Sequence, residues 1–344
     1  MNERETFLDK LRVTATCAVV MLHTITGVMD HTDMSAYPME KKVFLAALDL
    51  ICWCVPVFLM ISGYLFLDPK RNLNLKKMLT KYCRRILLAL FLFGVPYACL
   101  EQIAIEGRFE LSMAGSAFVM VARGESWSHM WYLYLILGVY LLTPAIRALM
   151  RYLPRPALYA VLAALFTGSS LLPYFAKLTG RELPVLPDGG IYLFYYISGG
   201  LFCKNAAGFR DVAGKKAGKY LGTAALLLAA AMICSRLSGK YTLQMAYNYP
   251  FTTVLSFLLF GCGCAGQESA GQAALFWRRT GELSFAVYLV HPVFLNVAYK
   301  FLHVTPLSFP LGVSLPLFFL TTILLSGAVA WGLRKIPLLR TYVL

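Results

Sequence analysis

The stretch LDKLRVTATCAVVMLHTITGVMD, residues 8–30, places Arg12 at the start of an apolar run and His23 inside it. Eleven residues are close to three helical turns. At about 100° per residue the two side chains differ by roughly 20° in direction, and they start roughly 16 Å apart along the axis. They share one helix face. Arg12 then sits at a membrane surface and His23 near the middle of the bilayer, where an ionisable side chain is costly and marks a functional site by default. Asp9, Thr16 and Thr26 fall on the same side and extend it into a polar stripe.

The rest of the chain supplies the membrane. Its 344 residues are 59% hydrophobic and only 14% charged, with a mean hydropathy of +0.64, too apolar for a soluble domain of this length. Ten stretches approach the roughly 20 residues needed to cross a hydrocarbon core: 13–30, 43–67, 85–104, 127–147, 157–176, 189–203, 220–238, 249–266, 283–303 and 311–333. The sixth is short and carries Gly189, Gly190, Gly199 and Gly200, so a tilted or re-entrant segment is an alternative there. The expected fold is all-α, a polytopic membrane helical bundle of about ten transmembrane helices forming one domain over residues 1–344.

An even number of spans puts both termini on one side. If that side is cytoplasmic, its segments hold 23 of the 32 Lys and Arg residues: Arg4, Lys10 and Arg12, the run Lys70 to Arg85, Arg147 to Arg155, Lys204 to Lys219, Arg278 with Arg279, and the tail from Arg334. This is the asymmetry of cytoplasmic loops. The net charge of +15 is thus mostly a topology signal that also suits anionic lipid head groups. Positive charge divided among short loops gives a nucleic-acid partner no footing. The first apolar stretch is followed by no small-residue cleavage site, so it reads as a retained span.

Nine cysteines lie in or at the ends of spans without the two-residue spacer of the usual zinc and redox motifs, and read as small buried residues. The five histidines are scattered, so no metal site is expected. Three further clusters carry polar chemistry. In the ninth stretch Ser284, Tyr288 and His291 stand at i, i+4 and i+7 on one face. If Glu282 marks the cytoplasmic edge, His291 reaches the depth of His23, and Pro292 beside it frees a backbone carbonyl. Lys76, Lys77, Lys81, Arg84 and Arg85 lead into the third stretch and suit a phosphate-bearing ligand as well as simple anchoring. His129 to Tyr134 open the fourth stretch as an aromatic belt or a contact for an outer substrate.

These segments together resemble the acyltransferase-3 family of membrane enzymes. Arg12 and His23 are similar to its Arg-x10-His motif, Val57 to Tyr64 (VFLMISGY) to its second-span signature, His129 to Leu133 (HMWYL) to its fourth, and Leu283 to Pro292 (LSFAVYLVHP) to its penultimate helix. The resemblance runs through essentially the whole chain. It implies transfer of an acyl group, usually acetyl, from cytoplasmic acyl-CoA to a hydroxyl of a cell-surface glycan or lipid-linked sugar, in a bacterial inner or plasma membrane. Two departures stand out. The family often has Arg-x-x-Arg at the entry to the third span, where this chain has Lys81-x-x-Arg84 followed by Arg85. Many members also carry an extracytoplasmic hydrolase-like domain; none is expected here, which implies that the chain acylates its acceptor directly or hands over to a separate transferase.

Joined to the residue reading, the resemblance implies that Arg12 and the Lys81, Arg84, Arg85 group hold the phosphates of acetyl-CoA, and that the pantetheine arm brings the thioester toward His23. There a neutral imidazole acts as general base on the acceptor hydroxyl, or accepts the acyl group and relays it. His291, Tyr288 and Ser284 are the expected companions of Arg12 and His23 in catalysis. His129, Trp131 and Asp30 are expected to meet the acceptor. The competing reading is a transporter or sensor that uses buried His and Asp residues as ligands.

The sidedness of the donor depends on topology, which is directly testable. In a background with reactive native thiols removed, an impermeant reagent on intact cells should label a cysteine placed at Ser112 and spare one placed at Asn72. The reverse pattern would put Arg12 on the wrong side for cytoplasmic acyl-CoA.

Overall fold

Inside hydrocarbon every backbone donor and acceptor needs an internal partner, so apolar stretches of this length become helices. The computed structural model describes residues 5–108, 110–187, 189–237, 246–266 and 269–344, without the side chains of 204–217, 235 and 237. Arg4 and the side chains of Lys204 to Lys216 in the charge count lie outside the described residues. The helices are α1 (Thr6–His31), α2 (Pro38–Phe66, broken at Cys52 and Trp53), α3 (Leu75–Glu106), α4 (Ser112–Arg123), α5 (Ser128–Tyr152) and α6 (Arg155–Thr179). They continue with α7 (Gly189–Leu237), α8 (Pro250–Ala265), α9 (Gly271–Phe301), α10 (Leu311–Leu333) and α11 (Pro337–Tyr342). No strand occurs among the described residues.

Among the described residues seven helices are long and apolar enough to cross a membrane: α1, α2, α3, α5, α6, α9 and α10. Shorter apolar helices cover Gly189–Cys203, Gly218–Cys234 and Pro250–Ala265, at the sixth, seventh and eighth stretches of the sequence. The protein is an all-α, multi-pass membrane bundle. Its contacts divide it into two units, one of Met1–Lys70 with Tyr152–Gly327 and one of Arg71–Arg151 with Ala328–Leu344.

In the first unit α1 and α9 run side by side in the same direction: Asp9 lies against Gly281, His23 against His291, and the Thr24 carbonyl against Tyr299. Apolar clusters close both ends of this pair. At one end Phe7 stands edge-on to Tyr64 and Phe260, with ring centres 5.5 and 6.4 Å away. At the other, Ile25, Val28, Phe44, Leu295 and Tyr299 form a buried cluster.

The packing of α2 on α7 explains the Gly63 of the VFLMISGY segment. A Cβ at Gly63 would fall 1.8 Å from the Tyr196 carbonyl oxygen, and one at Gly199 would fall 2.0 Å from that of Met60. Backbone meets backbone at both places, as small residues permit between membrane helices.

Helix α7 departs from the sequence expectation. Residues 204–219 read as a loop between two spans, yet Gly189–Leu237 is helical throughout, 49 residues that would extend about 74 Å if straight. It is not straight. Tyr195 meets Thr253 and Phe202 meets Phe260, so the first half advances along α8 in the same sense. Gly218 meets Cys262 while Ala225 and Met232 pack on Leu255, so the second half runs back against it. The chain therefore reverses between 203 and 218.

The return leg brings Arg236 to Asp49 of α2. Arg236 Nε and Nη2 each donate to a different carboxylate oxygen at 2.8 Å, and both side chains are almost fully buried.

In the second unit α4 packs through Met113, Ala117 and Val121, spaced four apart on one face, and Val121 reaches Gly94 of α3. The Tyr134 hydroxyl of α5 donates to the Val121 carbonyl. At the far end of α3, Arg85 Nε donates to the Val343 carbonyl at 2.9 Å and the Arg84 guanidinium lies 5.1 Å over the Tyr342 ring, which docks α11 and the residues after it.

Removing one partner of a buried, hydrogen-bonded ion pair leaves an uncompensated charge, at a cost of about 3–5 kcal/mol. Asp49→Ala or Arg236→Met alone should therefore lower the unfolding temperature in detergent sharply, and Asp49→Leu combined with Arg236→Met should recover much of the loss. Single variants as stable as the parent would show that the pair is solvated.

Candidate active site

His23 and His291 come together although 268 residues separate them. His23 Nδ1 and His291 Nε2 are 2.8 Å apart. The ring centres are 5.0 Å apart and the planes inclined by 28°, so the hydrogen bond spans most of the distance and the rings meet edge to edge. The bond thus lies near the direction of the ring-nitrogen lone pair. His291 is completely buried, whereas His23 keeps part of its surface open. His291 Nδ1 stands 3.1 Å from the Val287 carbonyl one turn earlier.

Register between α1 and α9 is fixed on both sides of this contact. The Tyr299 hydroxyl donates to the Thr24 carbonyl at 3.0 Å, and its ring lies where a Cβ of Gly27 would be, 2.6 Å from that position. Only glycine leaves room for the ring. Tyr299 sits on a π-helical turn, Val297–Phe301, whose extra residue per turn redirects the side chains that follow Pro292. Pro292 lacks an N–H, and the Asn296 amide donates to its carbonyl at 2.9 Å, holding the backbone between His291 and that turn.

Toward the other end of α1, Arg12 Nη1 donates to Asp9 Oδ1 at 2.8 Å. The Asp9 side chain is 1% exposed and that of Arg12 24%. A Cβ on Gly281 would come 3.0 Å from Asp9, so α9 covers the carboxylate while the guanidinium stays partly open. Because α1 is one continuous helix, the offset of roughly 16 Å between Arg12 and His23 is preserved.

Of the remaining expected site residues in this unit, Tyr288 lies beside the pair, its ring centre 6.2 Å from that of His291. Ser284 is buried on the same helix about 10 Å along the axis from His291, beyond hydrogen-bond reach of the imidazoles. Asp30 is exposed at the end of α1.

The other expected residues belong to the second unit. His129 is buried on a short turn, with the Tyr97 ring centre 5.7 Å and that of Trp127 6.3 Å away. Tyr97 and Trp127 stack at 4.3 Å, and the Trp127 indole donates to Glu101 at 3.0 Å. Trp131 contacts its neighbour Tyr132, with ring centres 6.1 Å apart. Lys81 is exposed and lies 5.7 Å from the Tyr82 ring centre. Arg84 and Arg85, expected at the donor, are engaged by Tyr342 and Val343 of the chain's own tail. Among the described residues no group of three or more His, Cys, Asp or Glu side chains is placed to hold a metal ion.

Several participants were not identified from the sequence. Tyr299 and Gly27 read as ordinary apolar-span residues, and Tyr97, Glu101 and Trp127 carried no signal of their own. Asp49 and Arg236 did carry one: each is the lone charged residue of an otherwise apolar stretch, 43–67 and 220–238, and the two are opposite in sign.

Two hydrogen-bonded imidazoles, one sealed and one partly open, can take up and return a proton within hydrocarbon. An arginine oriented by a covered carboxylate, on the same face of the same helix, can hold an anion. No curated protein and no solved structure matches the chain. The family model described as an acyltransferase domain, of the acyltransferase-3 type, matches residues 5–334. The chain belongs to the acyltransferase-3 family and is a multi-pass membrane acyltransferase.

Proposed function

We propose that this protein transfers an acetyl group from cytoplasmic acetyl-CoA to a hydroxyl of a cell-surface glycan or lipid-linked sugar, in a bacterial plasma membrane. The observation that carries the reading is the contact between His23 and His291, reached from Arg12 along one face of α1. His23 takes the proton of the acceptor hydroxyl, whose oxygen attacks the thioester carbon. The C–S bond breaks, and the departing thiolate receives the proton from the imidazolium. If His23 instead accepts the acetyl group first, the same carbon–sulfur bond breaks and the acceptor is acylated in a second step.

Arg12 is the donor anchor best supported in the first unit, since Asp9 sets its direction and leaves it partly open. A guanidinium offers phosphate two parallel donors. Lys81, Arg84 and Arg85 are a basic patch of the second unit, in which Arg84 stacks on Tyr342 and Arg85 donates through Nε to the Val343 carbonyl, and they remain proposed contacts for the donor phosphates. Asp30, His129 and Trp131 remain proposed acceptor contacts. Tyr97 and Trp127 join them, because stacked aromatic rings present apolar faces with polar edges. Anionic lipids and a separate transferase that completes the modification are the proposed partners.

Consumption of acetyl-CoA separates an enzyme from a carrier, which leaves the thioester intact. In purified protein His23→Ala should reduce thioester turnover by about 10²- to 10⁴-fold with CoA binding retained. Near-parental turnover would remove His23 from the mechanism. Comparing surface glycans by mass spectrometry in cells with and without the gene identifies the acceptor.

Arg12→Ala should weaken CoA binding and Arg12→Lys should recover only part of it, because an ammonium does not reproduce a bidentate guanidinium contact. Equal affinity by calorimetry in all three proteins would reduce Arg12 to a topological anchor.

A further inference from the structure

We propose that His291 is a positioning residue that sets the tautomer of His23, so that the basic nitrogen turned toward the reaction is Nε2. The inference rests on the reading of His23 as the acting group and names the atom through which it acts. The Val287 carbonyl can only accept a hydrogen bond. His291 Nδ1, 3.1 Å away, must therefore carry the proton. In a neutral imidazole one nitrogen donates and the other accepts. His291 Nε2 is then the acceptor, and His23 Nδ1, 2.8 Å from it, must be the donor. The lone pair of His23 is left on Nε2.

The other arrangements that satisfy both contacts carry a charge: in one, His23 is protonated on both nitrogens, the state reached only after it has taken a proton, and in the other His291 is doubly protonated and the bond to His23 is reversed. The latter places a full positive charge on a side chain with no exposed surface, in the interior of the bundle, where such a charge is expensive. The neutral chain from Val287 through His291 to His23 avoids that cost. An unconstrained imidazole prefers its proton on Nε2, the atom that must be bare to act as a base or a nucleophile. His291 thus corrects the ordinary preference. When His23 takes the acceptor proton, its Nδ1–H continues to donate to His291 Nε2, and the new charge resides on the partly open ring. Loss of that proton to the CoA thiolate restores the starting state.

The arrangement also assigns a purpose to the elements around it. Tyr299 and Gly27 on one side, and Gly281 against Asp9 on the other, hold α1 and α9 in the register that keeps the two nitrogens in contact. A slip of one residue along either helix moves a side chain by about 1.5 Å and turns it by about 100°, which removes the bond.

The test reads the tautomer directly. The full-length protein, labelled with ¹⁵N-histidine and placed in lipid nanodiscs, is compared with His23→Gln to assign the His23 signals. His23 should show a protonated Nδ1 and an unprotonated Nε2. In His291→Leu the proton should move to Nε2, and acetyl-CoA turnover should fall on the order of 10²-fold in kcat at an unchanged KM for acetyl-CoA. His291→Gln offers an amide oxygen as acceptor, and should restore the tautomer and part of kcat. Protonated Nε2 on His23 in the parent protein overturns the inference, as does a tautomer that stays unchanged in His291→Leu. Because the NMR measurement needs no turnover, the expected tautomer in a protein that does not consume acetyl-CoA would retain the positioning role and reject the acyl-transfer reading instead.

Discussion

A hydrogen bond of 2.8 Å between side chains of two parallel helices is the contact on which the site depends, and it is demanding. Between membrane helices there is little hydrophobic drive to associate, because lipid tails are as apolar as leucine, so packing and interhelical polar contacts must do the work. The α1 and α9 pair uses both. Gly281 lets α9 close over Asp9, Gly27 admits the Tyr299 ring, and the Tyr299 hydroxyl fastens to the α1 backbone at Thr24. These three contacts fix separation and axial register before the imidazoles meet. A larger residue at either glycine would have to displace the neighbour that defines the register.

Much of this pair was legible in the sequence, for a geometric reason. A helix has one rise per residue, so distance from a charged boundary reads as depth: Arg12 dates His23 and Glu282 dates His291. What cannot be read that way is azimuth after an irregularity. The π-turn at Val297–Phe301 breaks the period that would have pointed Tyr299 elsewhere, and no pattern of apolar residues announces it. The reversal within α7 was hidden differently. Its basic residues gave the topology of two spans, while the backbone between them stays helical, because charge marks the side of the membrane and not the conformation of the connection.

The motif segments also proved unequal in kind. Gly63 of the VFLMISGY stretch and Gly199 act through backbone contact, so they bear on folding and reach the site only through the bundle they permit. His129, in the HMWYL stretch, is buried among Tyr97 of α3 and Trp127 of the loop before α5 in the second unit, two residues that carried no signal of their own. The basic run has local partners that its residue types did not announce. Arg84 and Arg85 have the chemistry to hold phosphate, and the structure gives both of them a partner from the tail.

Three polar arrangements inside the first unit can be ranked by what each asks of its surroundings. Asp9 with Arg12 lies at one end of α1, where the arginine keeps some exposure and the charge cost is shared with the surface. Asp49 with Arg236 is almost fully buried and tolerable because guanidinium and carboxylate face one another through two hydrogen bonds. His23 with His291 is the arrangement suited to changing charge during a reaction. A carboxylate in the place of His291 would also accept from His23, but its charged form is expensive to bury in this dry position. A second imidazole supplies the same acceptor while neutral, so the buried charge exists only while the proton is in transit. That difference makes histidine the economical partner for a base that works inside a membrane.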